Sequence, residues 1–259
     1  MQLNQIVDFA KHPLDDVAYR TTCRKQIDDH GVLVLPEFVT AAAIDAVFSE
    51  GENKRDQVYA STETHTVYLS PVDPAFAADH PRNRQVTSSK GCLTDDQLSQ
   101  QCPLRTLYNA TKFREFLCDV VGEEAVHAYQ DALSSINLHF AETRQELGWH
   151  FDNSSFATTL MIQPAERGGQ FEYVTGVRDA DAGEMNFDGV ADVLDGRTAA
   201  RQLTQAAGSL VIFRGRNAIH RVAPNLGEQT RMLAVLAYNS EPGIALSEEA
   251  RTTFYGRIG

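Results

Sequence analysis

The sequence predicts a β-rich α+β fold, in which short strands forming a sandwich or barrel follow a mainly helical first half. Two patterns predict this class. Short apolar runs of the strand type succeed one another in the second half, where Gly and Pro residues separate them. Helical periodicity is concentrated in the first half. The composition, with 42% hydrophobic and 22% charged residues in 259, is that of a globular protein large enough to bury a core.

The first half contains helices and one clear strand. Leu14–Asp28 is predicted to be helical because an Asp-His-Gly stop signal follows it. Val32–Leu35 is an apolar strand ended by a proline. Thr40 is a good N-cap for a helix over Ala41–Phe48. A longer helix is predicted over Leu104–Val121, where apolar residues recur at helical spacing.

The second half contains six predicted strands and one long connection. Residues 175–207 form a polar, acidic insertion, which we expect to act as a lid or binding loop with a short helix near Val190–Leu194. The strands are predicted at Ser134–Phe140, Ala157–Gln163, Gln170–Val174, Ser209–Phe213, Ile219–Val222 and Arg231–Tyr238.

Charge and hydropathy exclude several classes of partner. The 35 acidic and 23 basic residues give a net charge of −12, whereas nucleic-acid binding needs clustered Lys and Arg. No apolar run is long enough to span a membrane, and the first residues lack a signal-peptide pattern. We therefore expect a cytoplasmic protein with a small-molecule substrate and no nucleic-acid or membrane partner; a homodimer remains open.

The residues that point to chemistry lie in three separate segments. His150 and Asp152 are two residues apart, so their side chains would share one face if both lay within a strand. His220 lies in a later strand and supplies a third donor, and two histidines with one carboxylate form a facial iron site with open positions. Arg231 follows His220 by eleven residues, and its guanidinium suits a dicarboxylate co-substrate.

This order of residues resembles the iron(II)/2-oxoglutarate-dependent oxygenases. More narrowly, W-H-F-D-N, G-G-Q-F-E-Y, F-R-G-R-N-A-I-H-R-V-A-P-N and L-A-Y-N-S-E-P-G resemble the group that acts on free amino acids such as lysine, which includes radical halogenases and hydroxylases. The N-terminal H-G-V-L-V-L-P-E-F-V and the C-terminal F-Y-G-R extend the similarity over most of the chain.

The resemblance implies a double-stranded β-helix, a cupin-like jelly roll with flanking helices. We expect one oxygenase domain over residues 1–259, with a mostly helical part at 1–130, a jelly-roll core at 131–240 and a closing segment at 241–259. It further implies that His150, Asp152 and His220 bind Fe(II) and that Arg231 binds 2-oxoglutarate. With O2 as the oxidant, the expected reaction yields succinate, carbon dioxide and a product hydroxylated at an unactivated carbon.

Asp152 distinguishes the two reactions of this group. The halogenases have Gly or Ala at this position, which frees a coordination site for chloride. Because this chain has a carboxylate there, the resemblance implies that it is an amino-acid hydroxylase, with lysine or a similar amino acid as its substrate.

Candidate substrate-binding residues lie outside the iron motif. A free amino acid needs a cation for its carboxylate and acceptors for its ammonium group, and Arg84 is our choice for the cation. Asn153 follows Asp152 and could reach the substrate, but lysine-specific members have an acid here, so Asn153 argues against lysine itself. Asp131 or Glu142 could supply that charge instead, although each is more readily explained as a surface residue.

Three aromatic residues and the remaining histidines leave alternatives open. Trp149 either packs in the core or forms a wall of the substrate pocket, and Phe254 and Tyr255 either close the pocket or pack on the barrel. His139 either faces the cavity or is a structural or exposed histidine. The others are expected on the surface: His12, His30, His65, His80 and His127.

Two other functions are compatible with a jelly roll. One is a cupin-type metal-binding enzyme with another reaction, such as an isomerase, and the other is a non-enzymatic sensor module. Neither would need Arg231 or 2-oxoglutarate.

Overall fold

The computed structural model describes residues 1–259 and contains two antiparallel β-sheets with helices packed around them. The strands are β1 Val32–Leu35, β2 Tyr59–Thr66, β3 Gln85–Leu93, β4 Ile136–Ala141, β5 Leu147–His150, β6 Ala157–Gln163, β7 Phe171–Val174, β8 Arg201–Leu203, β9 Leu210–Phe213, β10 Ile219–Val222 and β11 Arg231–Leu236. The helices are α1 Leu3–Ile6, α2 Val17–His30, α3 Ala41–Asn53, α4 Pro103–Asn109, α5 Thr111–Val121, α6 Phe187–Leu194 and α7 Glu248–Tyr255.

Strands that are distant in sequence lie side by side in both sheets. The larger sheet has the order β1-β9-β6-β11-β4-β3-β2, and the smaller sheet has the order β5-β10-β7-β8. Every pair is antiparallel. This interleaving of distant strands in two sheets is the jelly-roll arrangement, so the predicted double-stranded β-helix with flanking helices is confirmed.

Strand β11 shows how the larger sheet separates the core from a cavity. Met232, Ala234 and Leu236 are fully buried in the main hydrophobic core, which also contains residues of helices α2 to α5. The alternate side chains, Arg231 and Val235 among them, line a cavity on the other face. Successive residues of a strand point to opposite faces, so this strand contributes to both the core and the cavity.

The structure adds a strand pair that the sequence analysis missed. Strands β2 and β3 pair along their full shared length, from Tyr59 opposite Cys92 to Thr66 opposite Gln85, and extend the larger sheet at one edge. Their sequences, YASTETHT and QVTSSKGCL, contain few apolar residues. Because their exposed and cavity-facing positions are polar, hydrophobic periodicity does not reveal these strands.

Helix boundaries also differ from the prediction: α2 and α3 end later than expected, at His30 and Asn53. The single helix expected over Leu104–Val121 is two helices, α4 and α5, because Ala110 adopts an extended conformation between them. In the insertion, α6 begins at Phe187, where Asn186 caps it by accepting a hydrogen bond from the backbone N–H of Gly189. None of the seven helices is both long and apolar enough to cross a bilayer.

Candidate metal centre

The smaller sheet brings the two histidines of the motif together. His150 is the last residue of β5 and lies directly opposite His220 of β10 in the antiparallel register. The centroids of their rings are 4.1 Å apart. Asp152 lies beyond the end of β5, where its backbone N–H donates to the Gly215 carbonyl. The condition of a shared strand is not met, because β5 ends at His150, and the contact with Gly215 in the loop before β10 positions Asp152 instead.

Both imidazoles are oriented by the same local contact. Nδ1 of His150 donates to the Gly148 carbonyl at 2.8 Å, and Nδ1 of His220 donates to the Ala218 carbonyl at 3.0 Å. In each case the acceptor is two residues earlier in the chain. A proton on Nδ1 leaves the Nε2 lone pair free for a metal ion.

The two Nε2 atoms face the Asp152 carboxylate. They lie 3.9 Å and 3.5 Å from Oδ1 of Asp152 for His150 and His220, respectively. The three donor atoms lie within 4.8 Å of one another. Oδ2 of Asp152 is buried without a hydrogen-bond partner, which is unfavourable for a carboxylate unless a cation binds there. Two imidazoles and one carboxylate can therefore hold one metal ion from one side.

Gly215 provides the space that this carboxylate occupies. A Cβ atom at position 215 would lie 1.8 Å from Oδ2 of Asp152 and 2.9 Å from Cε1 of His220. Any side chain would therefore displace the carboxylate or the ring. The requirement for glycine here comes from this close approach and involves no left-handed backbone conformation, since the φ of Gly215 is not positive.

Burial and the mutual contacts of the three side chains favour the protonation states that a metal ion requires. Burial lowers the pKa of His150 to about 3, and the neighbouring His220 acts in the same direction. Burial alone would raise the pKa of Asp152, but the two imidazoles, His220 first, outweigh it and hold this pKa below its usual value. A neutral imidazole and an ionised carboxylate are the forms that bind metal.

The three donors lie on the wall of a cavity of about 280 Å³ between the two sheets. Arg231 lies on the same cavity and is only 5% exposed. Its Nε has no hydrogen-bond partner, no carboxylate lies within ion-pairing distance, and burial lowers its pKa to about 10. A buried cation without an acid partner is costly, so the site fits a ligand that supplies an anionic group.

The strand pair β2–β3 forms a further wall of the cavity, with polar groups that the sequence analysis did not select. Glu63 and His65 come from β2, and Ser88 and Lys90 come from β3. His139 of β4 also lines the cavity, which was the less favoured alternative, and Lys90 Nζ donates to its Nε2 at 3.2 Å. The only feature of the sequence that indicates this wall is the spacing of its cavity-facing residues by two positions in S-T-E-T-H and S-S-K, which can be interpreted only when the strands are known.

The surface assignment of two histidines is wrong. His65 lines the cavity, and its ring centroid lies 6.3 Å from that of His150. Its Nδ1 donates to the Thr66 carbonyl, and its Nε2 accepts from the Ser88 hydroxyl. His12 is buried, with its ring nitrogens hydrogen-bonded to the Tyr19 hydroxyl and the Pro36 carbonyl.

Of the five proposed substrate-binding residues, only Phe254 lines the cavity. Trp149 packs in a small core under Arg221, whose guanidinium lies 4.8 Å from the ring centroid. Tyr255 is buried and donates to Oδ1 of Asn137. Of these two neighbours, Phe254 faces the cavity and Tyr255 the protein interior, because adjacent residues of α7 point in different directions.

Arg84 and Asn153 also lie outside the lining. Arg84 forms an ion pair with Asp195 of the insertion, with 2.6 Å between Nη1 and Oδ1, so its charge is already compensated. Asn153 is exposed, and its carbonyl accepts from Arg216. Asp131 accepts hydrogen bonds from Ser134 and nearby backbone, and Glu142 from Arg55 and Thr230, so neither alternative acid faces the cavity.

Comparison with known proteins agrees with this geometry. Residues 16–253 match the Halogenase D family. No curated protein matches the sequence at a significant level.

Solved structures share the fold at low sequence identity. An oxidoreductase of the 2OG-Fe(II) oxygenase family from Burkholderia pseudomallei superposes with a TM-score of 0.55 at 14% identity, covering 87% of this chain and 92% of its own. A Pseudomonas putida prolyl-4-hydroxylase gives 0.52 at 13% identity, covering 83% and 96%. The epimerase SnoN in complex with Fe3+, alpha ketoglutarate and nogalamycin RO gives 0.57 at 12%, covering 86% and 84%.

Proposed function

The chain belongs to the Halogenase D family of 2-oxoglutarate-dependent iron oxygenases, and on that premise we propose that it hydroxylates an unactivated carbon of a free amino acid, releasing succinate and carbon dioxide. The observation that carries the choice of reaction is the presence of Asp152 beside His150 and His220. The amino-acid substrate rests on the motifs around these three residues.

We assign His150, Asp152 and His220 as the protein ligands of iron(II). Their free Nε2 atoms and a carboxylate oxygen of Asp152 are the donors that such an ion takes. When bound, the iron and 2-oxoglutarate supply the oxygen-activating chemistry. The role of the chain is to hold its donors in one orientation, through the two Nδ1 hydrogen bonds, and to exclude bulk water from a cavity walled by both sheets.

Arg231 is assigned to the far carboxylate of 2-oxoglutarate. It is the cavity cation nearest in sequence to the metal motif, and no acid of the chain neutralises it. The forked guanidinium binds a carboxylate through two parallel hydrogen bonds, which orients the co-substrate as well as holding it. Its buried position strengthens this contact because little water competes for it.

Hydroxylation is proposed over halogenation because the protein supplies an anionic ligand at the position where a halide would bind. The absence of a side chain at Gly215 supports the same assignment, since the space that it leaves is filled by the Asp152 carboxylate. With that position occupied, a halide has no coordination site beside the substrate.

The test is turnover with iron(II) and 2-oxoglutarate over a panel of amino acids, with and without added chloride. We expect amino-acid-dependent succinate and a product heavier by one oxygen, unchanged by chloride. Asp152→Gly should lose hydroxylation and bind halide at the metal, and chlorination need not follow. A chlorinated product from the unmutated enzyme would overturn the assignment of Asp152, and a failure to form succinate would favour a cupin-type enzyme or sensor.

A further inference from the structure

The cavity contains one cation and one acid beyond those that the proposed reaction uses. Lys90 and Glu63 lie on adjacent strands and both line the cavity. The other charged groups that line it are Asp152 and Arg231, which the proposed function assigns to iron and to 2-oxoglutarate. Lys90 and Glu63 are therefore free to bind the substrate.

Burial lowers the pKa of Lys90 and Glu63 acts to raise it, but neither side chain forms an ion pair within the protein. No carboxylate lies within 4.0 Å of Lys90 Nζ, whose only hydrogen-bond partner is the neutral ring of His139. Burial lowers the pKa of His139 well below its usual value, with Lys90 and Arg231 acting in the same direction, so this ring accepts the hydrogen bond without a charge. An ammonium has three donors, and two of them remain for a ligand.

Glu63 forms no ion pair, even with Lys90. In the β2–β3 register Lys90 lies opposite Ser61, and Glu63 lies opposite Ser88, so the two charged residues are diagonal neighbours on one face. Diagonal positions of this kind lie about 7–8 Å apart, and the two charged ends are more than 4.0 Å apart, so a group that carries both a carboxylate and an ammonium can lie between them. The head group of an amino acid has this arrangement.

The other charges in the cavity, counted with bound iron(II) and 2-oxoglutarate, sum to zero. The two positive charges of iron(II) and that of Arg231 balance the carboxylate of Asp152 and the two carboxylates of 2-oxoglutarate. Lys90 and Glu63 likewise cancel, so a substrate that carries only its zwitterionic head group leaves no charge uncompensated. A substrate with a charged side chain would place an unpaired ion in a small cavity, which costs free energy.

The side chain of such a substrate would extend toward the metal centre. Glu63 precedes His65 by two positions, about 6.6 Å along the strand, and the ring of His65 lies 6.3 Å from that of His150. Apolar residues line the cavity, including Leu147 of β5 and Leu233 and Val235 of β11. The reacting carbon is thereby a side-chain carbon distant from the head group.

We propose that Lys90 binds the α-carboxylate and Glu63 the α-ammonium of a free amino acid with an uncharged side chain. This inference rests on the proposed function, because it takes Asp152 and Arg231 as already occupied. It replaces Arg84, which is paired with Asp195, and it argues against lysine on grounds independent of Asn153.

The experiment measures anaerobic binding by calorimetry to enzyme loaded with iron(II) and 2-oxoglutarate. The first set of ligands is the neutral amino acids, L-lysine and L-glutamate. The second set is leucine, 3-methylbutylamine, which lacks the carboxylate, and 4-methylpentanoate, which lacks the ammonium group. If another neutral amino acid binds more tightly than leucine, that amino acid and its own amine and acid analogues form the second set. Loss of a charge-assisted contact should weaken binding about 10- to 150-fold.

Two charge-neutralising variants assign the two contacts. With Lys90→Met the amino acid should bind no better than the amine binds the unmutated enzyme, and with Glu63→Gln no better than the acid does. Affinity for 2-oxoglutarate should not change in either variant, and Lys25→Met, on an exposed face of α2, serves as the control for removing a lysine. If Lys90→Met binds the amino acid as tightly as the unmutated enzyme does, the assignment of Lys90 is wrong. If Glu63→Gln does so, the assignment of Glu63 is wrong.

Failure of this inference can be separated from failure of the proposed function. If L-lysine or L-glutamate is bound and hydroxylated while neutral amino acids are not, the proposed reaction stands and the substrate class is wrong. If no amino acid binds and none stimulates succinate formation, both are wrong.

Discussion

The metal-binding end of the cavity and its β2–β3 wall are built differently. At the metal end, each imidazole is fixed by a hydrogen bond to a carbonyl two residues earlier, and a glycine accommodates the carboxylate. On the β2–β3 wall, Lys90 and Glu63 have no acidic or basic partner to fix them. The metal donors are thus oriented by backbone contacts, whereas the residues proposed for recognition are held only by their positions on the strands.

Removal of a metal donor should have the largest effect. His150→Ala or His220→Ala deletes one of three donors, so we expect iron to be lost on desalting and turnover to fall below detection while the fold survives. Iron content and the unfolding temperature measure the two outcomes. His30→Ala, at the exposed end of α2, is the matched control. Full activity in either variant would disprove the proposed ligand set.

Substitution of Arg231 should have the second-largest effect, because the proposed contact of its guanidinium with 2-oxoglutarate is charged and buried. Arg231→Met should raise the 2-oxoglutarate concentration needed for half-maximal turnover about 10- to 150-fold, while iron affinity changes much less. Arg231→Lys keeps the charge and should recover part of the loss. An unchanged 2-oxoglutarate requirement in Arg231→Met would show that another residue binds the co-substrate.

Gly215 tests whether the metal end depends on backbone placement. In Gly215→Ala the new methyl would overlap the Asp152 carboxylate, so we expect iron affinity to fall about 10- to 100-fold, as for other residues that orient metal ligands. Titration of iron into the metal-free enzyme measures this. Gly259→Ala, where nothing lies within 4 Å, is the control. Unaltered iron affinity would mean that the carboxylate can bind metal from another position.

Substitution of Arg84 should have the smallest effect on amino-acid affinity, and it tests whether Lys90 or Arg84 binds the α-carboxylate. Arg84 forms a partly exposed ion pair with Asp195, and solvent screens such pairs, so that they contribute little to stability. Arg84→Gln should therefore leave amino-acid affinity within about twofold, in contrast to Lys90→Met. If the same calorimetric titration shows that Arg84→Gln loses as much amino-acid affinity as Lys90→Met, Arg84 binds the α-carboxylate.

Elements with a strong local signal could be predicted from the sequence. Strand β1 has the predicted bounds Val32–Leu35, and Thr40 caps α3 as expected. Strands β6 and β10 also match, because both are apolar runs bounded by turn residues. Strands β2 and β3 were missed, since a strand that faces a polar cavity on one side and solvent on the other lacks an apolar periodicity.

The fold class, the family and the metal-binding motif could be predicted from the sequence, because they depend on patterns along the chain: apolar runs between turns, and the order and spacing of His150, Asp152, His220 and Arg231. Only the tertiary structure decided which charged groups face the cavity. Arg84 and Lys90 are only six residues apart, yet Arg84 pairs with Asp195 of the insertion, whereas Lys90 contacts His139 of the adjacent strand β4. The physical reason is that the environment of a charged side chain is set by the strands and loops that pack against it, and these come from distant parts of the chain.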